Sequence, residues 1–445
     1  MKKISLRPVV ECAVFFTIVI LIPVISFLIV QLSGKINPKL PRVDIYLNNT
    51  SLEEINSGDK SIVYAGNGFR LKDGSNVLTA EGVELKGRGN STWSVTGKKP
   101  YQIHFQDKTQ LFNLGFSRNW ILLAEAFDGS YLRNDTAFLI NRIIGGNYPI
   151  DGRHIELYID DEFVGLYYLT PKVEIGKDRV ALSDPYGVLV ELDNLHNFGE
   201  TCVYAGKPDC LIMNSFVDVD NAEEVTKSFS NKYDKLYQYA EQGDFDSFSE
   251  VADVDSFARY FLLSEFTVNP DAYVSSCYMY TDGENDLVHM ATAWDYDFSL
   301  GNLNWDWAMV PDFHSPDKDM VQRIMAFGGS VYDTERGGAY QIETNETYTR
   351  LFYYLIDIPQ FRELVSTIYD ETLARHKATI IDYVRNKAAF IRDVAIRDTM
   401  QCWGNSRDYD KEVEYLIDWI TKRFEHFDET YGPKNLKPWN DSFVL

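Results

Sequence analysis

The sequence predicts an α+β protein, a strand-rich N-lobe followed by a helical C-lobe, carried behind one N-terminal transmembrane helix. Three observations predict this. Apolar residues alternate with period two through much of residues 43–193. From about residue 221 they recur at helical spacing instead. Ahead of both lies a single apolar block, residues 9–32. The 445 residues, 45% of them hydrophobic and 14% aromatic, can bury a substantial core and do not have the composition of a disordered chain. The expected organisation is a cytoplasmic tail (1–8), an anchor (9–32), a linker (33–42) and one large domain (43–445), with the N-lobe at about 43–220 and the C-lobe at about 221–445.

The apolar block is interrupted only by Thr17, Pro23 and Ser26 between residues 14 and 30. Extended to 9–32, it is long enough to cross a hydrocarbon layer about 30 Å thick as a helix. Lys2, Lys3 and Arg7 precede it, which places the N-terminus in the cytoplasm and the large domain outside. A cleaved signal peptide is the competing reading. Its apolar region is shorter, and Gln31-Leu32-Ser33-Gly34-Lys35 is a poor cleavage site. Pro38 and Pro41 mark the linker.

Strand patterns follow in order. Val43-Asp44-Ile45-Tyr46-Leu47, Val83-Glu84-Leu85-Lys86 and Tyr101-Gln102-Ile103-His104-Phe105 alternate. Ile155 to Ile159 alternates too, turns at Asp160-Asp161-Glu162 and returns from Phe163 to Leu169 as a hairpin. GVLVEL (187–192) reads as a fully buried strand. One helix interrupts this half, running from Ser130-Tyr131-Leu132 through Ile144 to a stop at Gly145-Gly146. In the second half a helix capped by Asp255 runs to Asn269-Pro270. A two-strand segment follows (275–280 and 287–293, with a turn at 282–285), and residues 345–430 read as three or four amphipathic helices.

Charge and motif content exclude several functions. Lys+Arg number 43 and Asp+Glu 66, a net charge of −23. Phosphate backbones need clustered Lys and Arg, so nucleic acid is not the expected partner. The field favours divalent cations and basic protein segments. There is no C-x-x-C, no H-E-x-x-H and no G-x-S-x-G. The five cysteines are too few for a disulfide scaffold, although Cys202 and Cys210 could close a loop in an oxidising compartment.

Four constellations carry candidate chemistry. Lys86-Gly87-Arg88-Gly89-Asn90-Ser91-Thr92-Trp93, with Lys98 and Lys99 after it, brings glycines, hydroxyls and rare positive charge to one turn. Backbone N–H groups of such a turn can approach an anion; a decorated hairpin turn is the plainer reading. Asn269-Pro270-Asp271 and Ala293-Trp294-Asp295-Tyr296-Asp297 set carboxylates into an aromatic, apolar stretch. If 293–298 continues as a strand, Asp295 and Asp297 share a side and suit a hard cation such as Mg²⁺. A solvated acidic turn is the alternative, and carboxylate pairs also serve glycosidases. Lys172 ends a strand beside Glu174 and could meet a phosphate or form a surface pair. Asp128 and Arg133 are expected to tie a strand to the next helix.

Together these stretches resemble the CotH kinase family, atypical protein kinases related to spore coat protein H. RGNSTW (88–93), KKPYQIHF (98–105), WILLAEAFDGSYLRN (120–134), ELYIDDEFVGLYYLTPKVEI (156–175), GVLVELD (187–193), FLLSEFTVNPDAY (261–273) and WDYDFSLGN (294–302) occur in family order.

The resemblance implies a divergent protein-kinase-like fold that binds ATP with Mg²⁺, or Mn²⁺ in its place, and phosphorylates Ser or Thr of a protein. It gives Asp271 the catalytic role and Asp295 the main metal-ligand role, assisted by Asp297. Arg88, Asn90 and Ser91 are implied near the nucleotide, and the phosphate lysine is a choice among Lys99, Lys98 and Lys172. Family patterns lead one to expect an Asn shortly after the catalytic aspartate, where this chain has Ser276. A catalytically weak cell-surface binding protein of the same fold is the alternative. Its partner would be a protein or a carbohydrate stacked on Trp305 and Trp307.

Overall fold

A computed structural model describes residues 39–193, 202–204, 210–302, 315–321, 330–333, 338–341 and 349–432. The expected anchor (9–32) and the Trp305–Trp307 pair lie outside the described residues, as do the side chains of Cys202 and Cys210. No described helix is long and apolar enough to cross a membrane. Cys277 and Cys402 are thiols, not a disulfide.

Seven strands form a closed barrel: β1 (Arg42–Tyr46), β2 (Tyr64–Asp73), β3 (Asn76–Gly87), β4 (Tyr101–Gln110), β5 (Phe116–Leu123), β6 (Arg153–Ile159) and β7 (Glu162–Pro171). The order is β1-β2-β3-β4-β5-β7-β6. The parallel pairing of β1 with β6, Arg42 opposite Glu156 and Ile45 opposite Ile159, closes it. Closure removes the exposed edges that an open sheet would present. Alternation fills the interior: Val43, Ile45, Val83, Leu85, Tyr101, Ile103, Trp120, Leu122, Ile155, Leu157, Tyr167 and Leu169 are buried in one cluster. The β6–β7 hairpin turns at Asp160 and Asp161, both at positive φ (50° and 65°), as a two-residue turn of the type that matches strand twist requires.

Two short helices decorate the barrel, α1 (Leu52–Ser57) and α2 (Ser91–Val95). Then α3 (Arg133–Ile144) ends at Gly145 in the left-handed conformation, as its Gly-Gly stop predicts. A second sheet contains β8 (Gly187–Asp193), β9 (Cys202–Tyr204), β10 (Cys210–Phe216), β11 (Cys277–Asp282) and β12 (His289–Met290), in the order β12-β11-β8-β10-β9. It joins strands from both sides of residue 220. The helical region comprises α4 (Ala222–Gln242), α5 (Phe245–Ser249), α6 (Val254–Thr267), α7 (Leu351–Asp357), α8 (Pro359–Glu371), α9 (Leu373–Trp403) and α10 (Tyr409–Thr430), and β13 (Ser330–Asp333) pairs with β14 (Gly338–Gln341). The helices and the second sheet share one apolar core, which takes in Phe138 of α3 and Tyr168 of β7.

Two local expectations are corrected. Asp255 does not cap α6. Asp253 holds that position, its carboxylate accepting from His289 (2.9 Å), while Asp255 in the first turn binds Arg259. Residues 291–296 do not form a strand. Asp295 has φ 65°, so period-two alternation does not relate Asp295 to Asp297.

Candidate functional site

Four stretches distant in sequence meet between the barrel and the helical region: the loop after β3, the turn before α3, the turn after α6 and the segment 293–302. Helix α6 ends in the left-handed residue Val268 (φ 49°), a conformation that a β-branched side chain rarely adopts. This turns the chain into Asn269-Pro270-Asp271. Asn269 then serves both acidic turns. Its Oδ1 accepts from the Asp271 N–H (3.2 Å), and its Nδ2 donates to the Asp295 carbonyl (3.1 Å).

The segment carrying Asp295 and Asp297 is pinned at further points. The Tyr296 N–H donates to Asn134 Oδ1 (2.8 Å). Asn302 Nδ2 donates to the carbonyls of Asp297 (2.6 Å) and Phe127 (3.2 Å). Arg133 Nε donates to the Leu300 carbonyl (3.4 Å), and its other end forms the expected, fully buried ion pair with Asp128. Positive φ also occurs at Glu125, Tyr131, Ser276 and Leu300. Backbone strain thus gathers on the segments that hold the carboxylates.

Electrostatics join these groups. Burial raises the carboxyl of Asp271 well above its ordinary value, and the charges of Asp295 and Asp193 raise it further. Asp295 is raised by burial too; Arg88 and a Ser276 hydrogen bond (3.5 Å) pull it down. Its side chain is crowded by protein yet open to solvent, the situation of a group lining a narrow cleft. We therefore attribute its shift to crowding and not to full dehydration. Asp297 is raised most clearly, by burial first and then by Asp295, Glu125 and Asp271. It is 8% exposed, and its Oδ1 has no hydrogen-bond partner. Glu125 is 4% exposed and is pushed up to about 8, chiefly by burial, although Asn134 Nδ2 donates to it (3.1 Å). Arg88 is a cation that faces Asp295 and Asp297. Its guanidinium lies 5.5 Å from the Trp294 ring centre and feels the charges of Asp295 and Asp297.

The structure thus brings Asp271, Asp295, Asp297 and Arg88 together. Lys98 and Lys99 are engaged elsewhere. Lys98 is buried in an ion pair with Asp398 of α9 (2.6 Å) and donates to the Leu166 carbonyl. Lys99 Nζ donates to the carbonyls of Trp93 and Thr96, closing the α2 turn. Lys172 follows the end of β7 and is half-buried. Asn90 sits at the N-terminus of α2 and accepts from Lys60 Nζ; Ser91 is the first residue of that turn.

Sequence reasoning did not select Asp193, Glu125, Asn134 or Asn269. One signal was present: Glu125 and Asp193 each interrupt or close an otherwise apolar run, where an unpaired charge is costly. Among the described residues no group of three His, Cys, Asp or Glu side chains stands ready to hold a metal ion. A hydrated Mg²⁺ needs only one or two carboxylates, and the orphaned Asp297 Oδ1 beside like charges fits a cation neighbour.

A family model described as CotH kinase protein matches residues 85–427 of this chain. No curated protein matches it.

Proposed function

The chain belongs to the CotH kinase protein family, and from that premise we propose that it passes the γ-phosphate of ATP to a Ser or Thr hydroxyl of a protein partner. The observation that carries the reading is the meeting of Asp271, Asp295 and Asp297 with Arg88 in one cleft. Half-buried Asp271 faces the acceptor hydroxyl, orients it and takes its proton. Its raised carboxyl makes it a stronger proton acceptor than an ordinary aspartate. Asp295 and Asp297 would hold Mg²⁺, or Mn²⁺ in its place, which when bound neutralises phosphate charge. Arg88, Asn90 and Ser91 form the nucleotide side of the cleft. Lys99 reaches a phosphate only by releasing the two carbonyls it holds, and Lys98 only by leaving Asp398. In the same reading residues 9–32 anchor the chain in the bilayer as a single pass, with the large domain outside the cytoplasm. The acidic surface favours basic segments of the partner.

A second reading, a catalytically weak binding protein of this fold, is favoured by Ser276, which stands where family patterns lead one to expect Asn.

The test incubates the full chain with labelled ATP and Mg²⁺ or Mn²⁺, beside Asp295→Ala and Asp271→Asn. Metal-dependent labelling that both variants lose supports transfer. No labelling and no ATP-induced rise in melting temperature overturns it. ATP that stabilises the fold without transfer selects the second reading. For the orientation, protease added to intact cells should remove the large domain; full protection contradicts it.

A further inference from the structure

We propose that Asn134 and Glu125 are positioning residues for phosphoryl transfer, closing a chain of amide hydrogen bonds that starts at the Asp271 backbone and passes through the Asp295–Tyr296 peptide. Both roles rest on the reading of Asp271 and Asp295 as working residues. They extend it to two side chains that act through other groups.

Four links make up the chain, and each donates onward. The Asp271 N–H donates to Asn269 Oδ1 (3.2 Å), and Asn269 Nδ2 donates to the Asp295 carbonyl (3.1 Å). The N–H of that same peptide group, belonging to Tyr296, donates to Asn134 Oδ1 (2.8 Å). Asn134 Nδ2 then donates to Glu125, 3.1 Å from Oε1 and 3.3 Å from Oε2. Backbone chemistry fixes the sense of every link. A peptide N–H only donates and a carbonyl only accepts, so each asparagine turns its oxygen to the N–H and its NH₂ onward. The series must end on an acceptor, and Glu125 supplies it. Hydrogen bonds aligned in one sense polarise one another.

The chain holds the one peptide group that joins Asp295 to the residue before Asp297. Asn269 takes its carbonyl from the turn after α6, and Asn134 takes its N–H from the first turn of α3. A planar peptide held at both polar atoms sets the directions in which the flanking residues leave it. Asp295 has φ 65° and Glu125 φ 51°, both in the left-handed region. Such conformations persist where surrounding bonds over-determine them. Asn134, Asn269 and Glu125 are each at most 4% exposed, so breaking a link leaves a buried polar group unpaired. Asp271 is fastened to the same series through Asn269. Its placement against Asp295 therefore depends on Asn134 and on Glu125, which lies in the loop after barrel strand β5. A misplacement of about 1 Å costs about a hundredfold in rate.

The test uses the full chain with labelled ATP, Mg²⁺ and a basic Ser-containing peptide. It reads kcat, ATP affinity and melting temperature for each variant. Asn134→Leu should lower kcat by about ten- to a hundredfold with ATP affinity nearly unchanged. Asn269→Leu should do the same. The double variant should lose no more than the worse single, because either change breaks the same chain. Glu125→Leu should also slow transfer. Glu125→Gln keeps an acceptor for Asn134 and should recover most of that loss, and this pair decides the matter if Asn134→Leu does not fold. An unchanged kcat in Asn134→Leu, losses that multiply in the double variant, or Glu125→Gln as slow as Glu125→Leu overturns the inference and leaves the reading of Asp271 and Asp295 standing. No transfer by the parent chain sinks both.

Discussion

Asp297 shows what this cleft demands of a single side chain: a carboxylate oxygen almost out of reach of water, with no donor beside it. Leaving such a group unsatisfied costs about 1–3 kcal/mol or more for a charge, and on the present reading a bound cation offsets that cost. Glu125 is buried as well but has Asn134 donating to it, and it remains protonated near neutral pH, since its carboxyl is pushed up to about 8. The sign of the consequence follows from linkage. Between 4.5, its ordinary value, and about 8, the folded state holds a proton that the unfolded state has released. This contribution to stability is complete below the lower value and is lost as pH rises through the upper one. Glu125→Gln cannot ionise, so its stability relative to the parent should increase from pH 4.5 to 8; denaturant midpoints across that range check it, and parallel curves would contradict it. Asn269→Ala removes the side chain shared by both acidic turns. It should lower stability by about 1–3 kcal/mol and reduce transfer more than ATP affinity, measured by unfolding and steady-state kinetics. At this scale the sequence was only partly readable. Asp271, Asp295 and Asp297 declared themselves as carboxylates in an apolar setting. Asn269 and Asn134 did not, because their importance lies in partners 26 and 162 residues away along the chain.

Elements were read better than the connections between them. The alternations at 43–47, 83–86, 101–105 and 155–169 all became barrel strands, because period two reports one buried face directly. Closure through β1 and β6 was not readable, since it pairs segments more than a hundred residues apart without a local signal. The Asp295–Asp297 segment misled for a physical reason: its apolar flanks imitate a buried strand, whereas a left-handed residue at Asp295 breaks the alternation. Lys98 illustrates another limit. Its charge suggested a phosphate, but the fold delivers Asp398 from α9 to meet it, both side chains being at most 2% exposed. Removing one partner of a buried pair strands the other, at about 3–5 kcal/mol. Asp398→Leu should therefore destabilise the protein by about that amount. The double change with Lys98→Met should cost less than Asp398→Leu alone, as read from urea unfolding. An equal or greater loss in the double variant would show that the pair does not couple the barrel loop to α9.

At the scale of the whole molecule, a closed barrel and a helical region with its own sheet meet around one acidic set of side chains, and the chain belongs to the CotH kinase protein family. The net charge of −23 sets the long-range field, and Arg88 is a positive group brought to face Asp295 and Asp297. A basic protein segment should approach such a surface faster at low ionic strength than at high, since screening shortens the reach of the field. The transfer rate with a basic acceptor peptide should accordingly fall as salt is added, and that of a neutral peptide should change little. The most direct measurement compares ATP labelled in the γ-phosphate with ATP labelled in the α-phosphate, in the presence of Mg²⁺ and the full chain. Label is expected on Ser or Thr from the γ position only, abolished by Asp271→Asn. Label arriving from the α position, or none from either while ATP still binds, would contradict it.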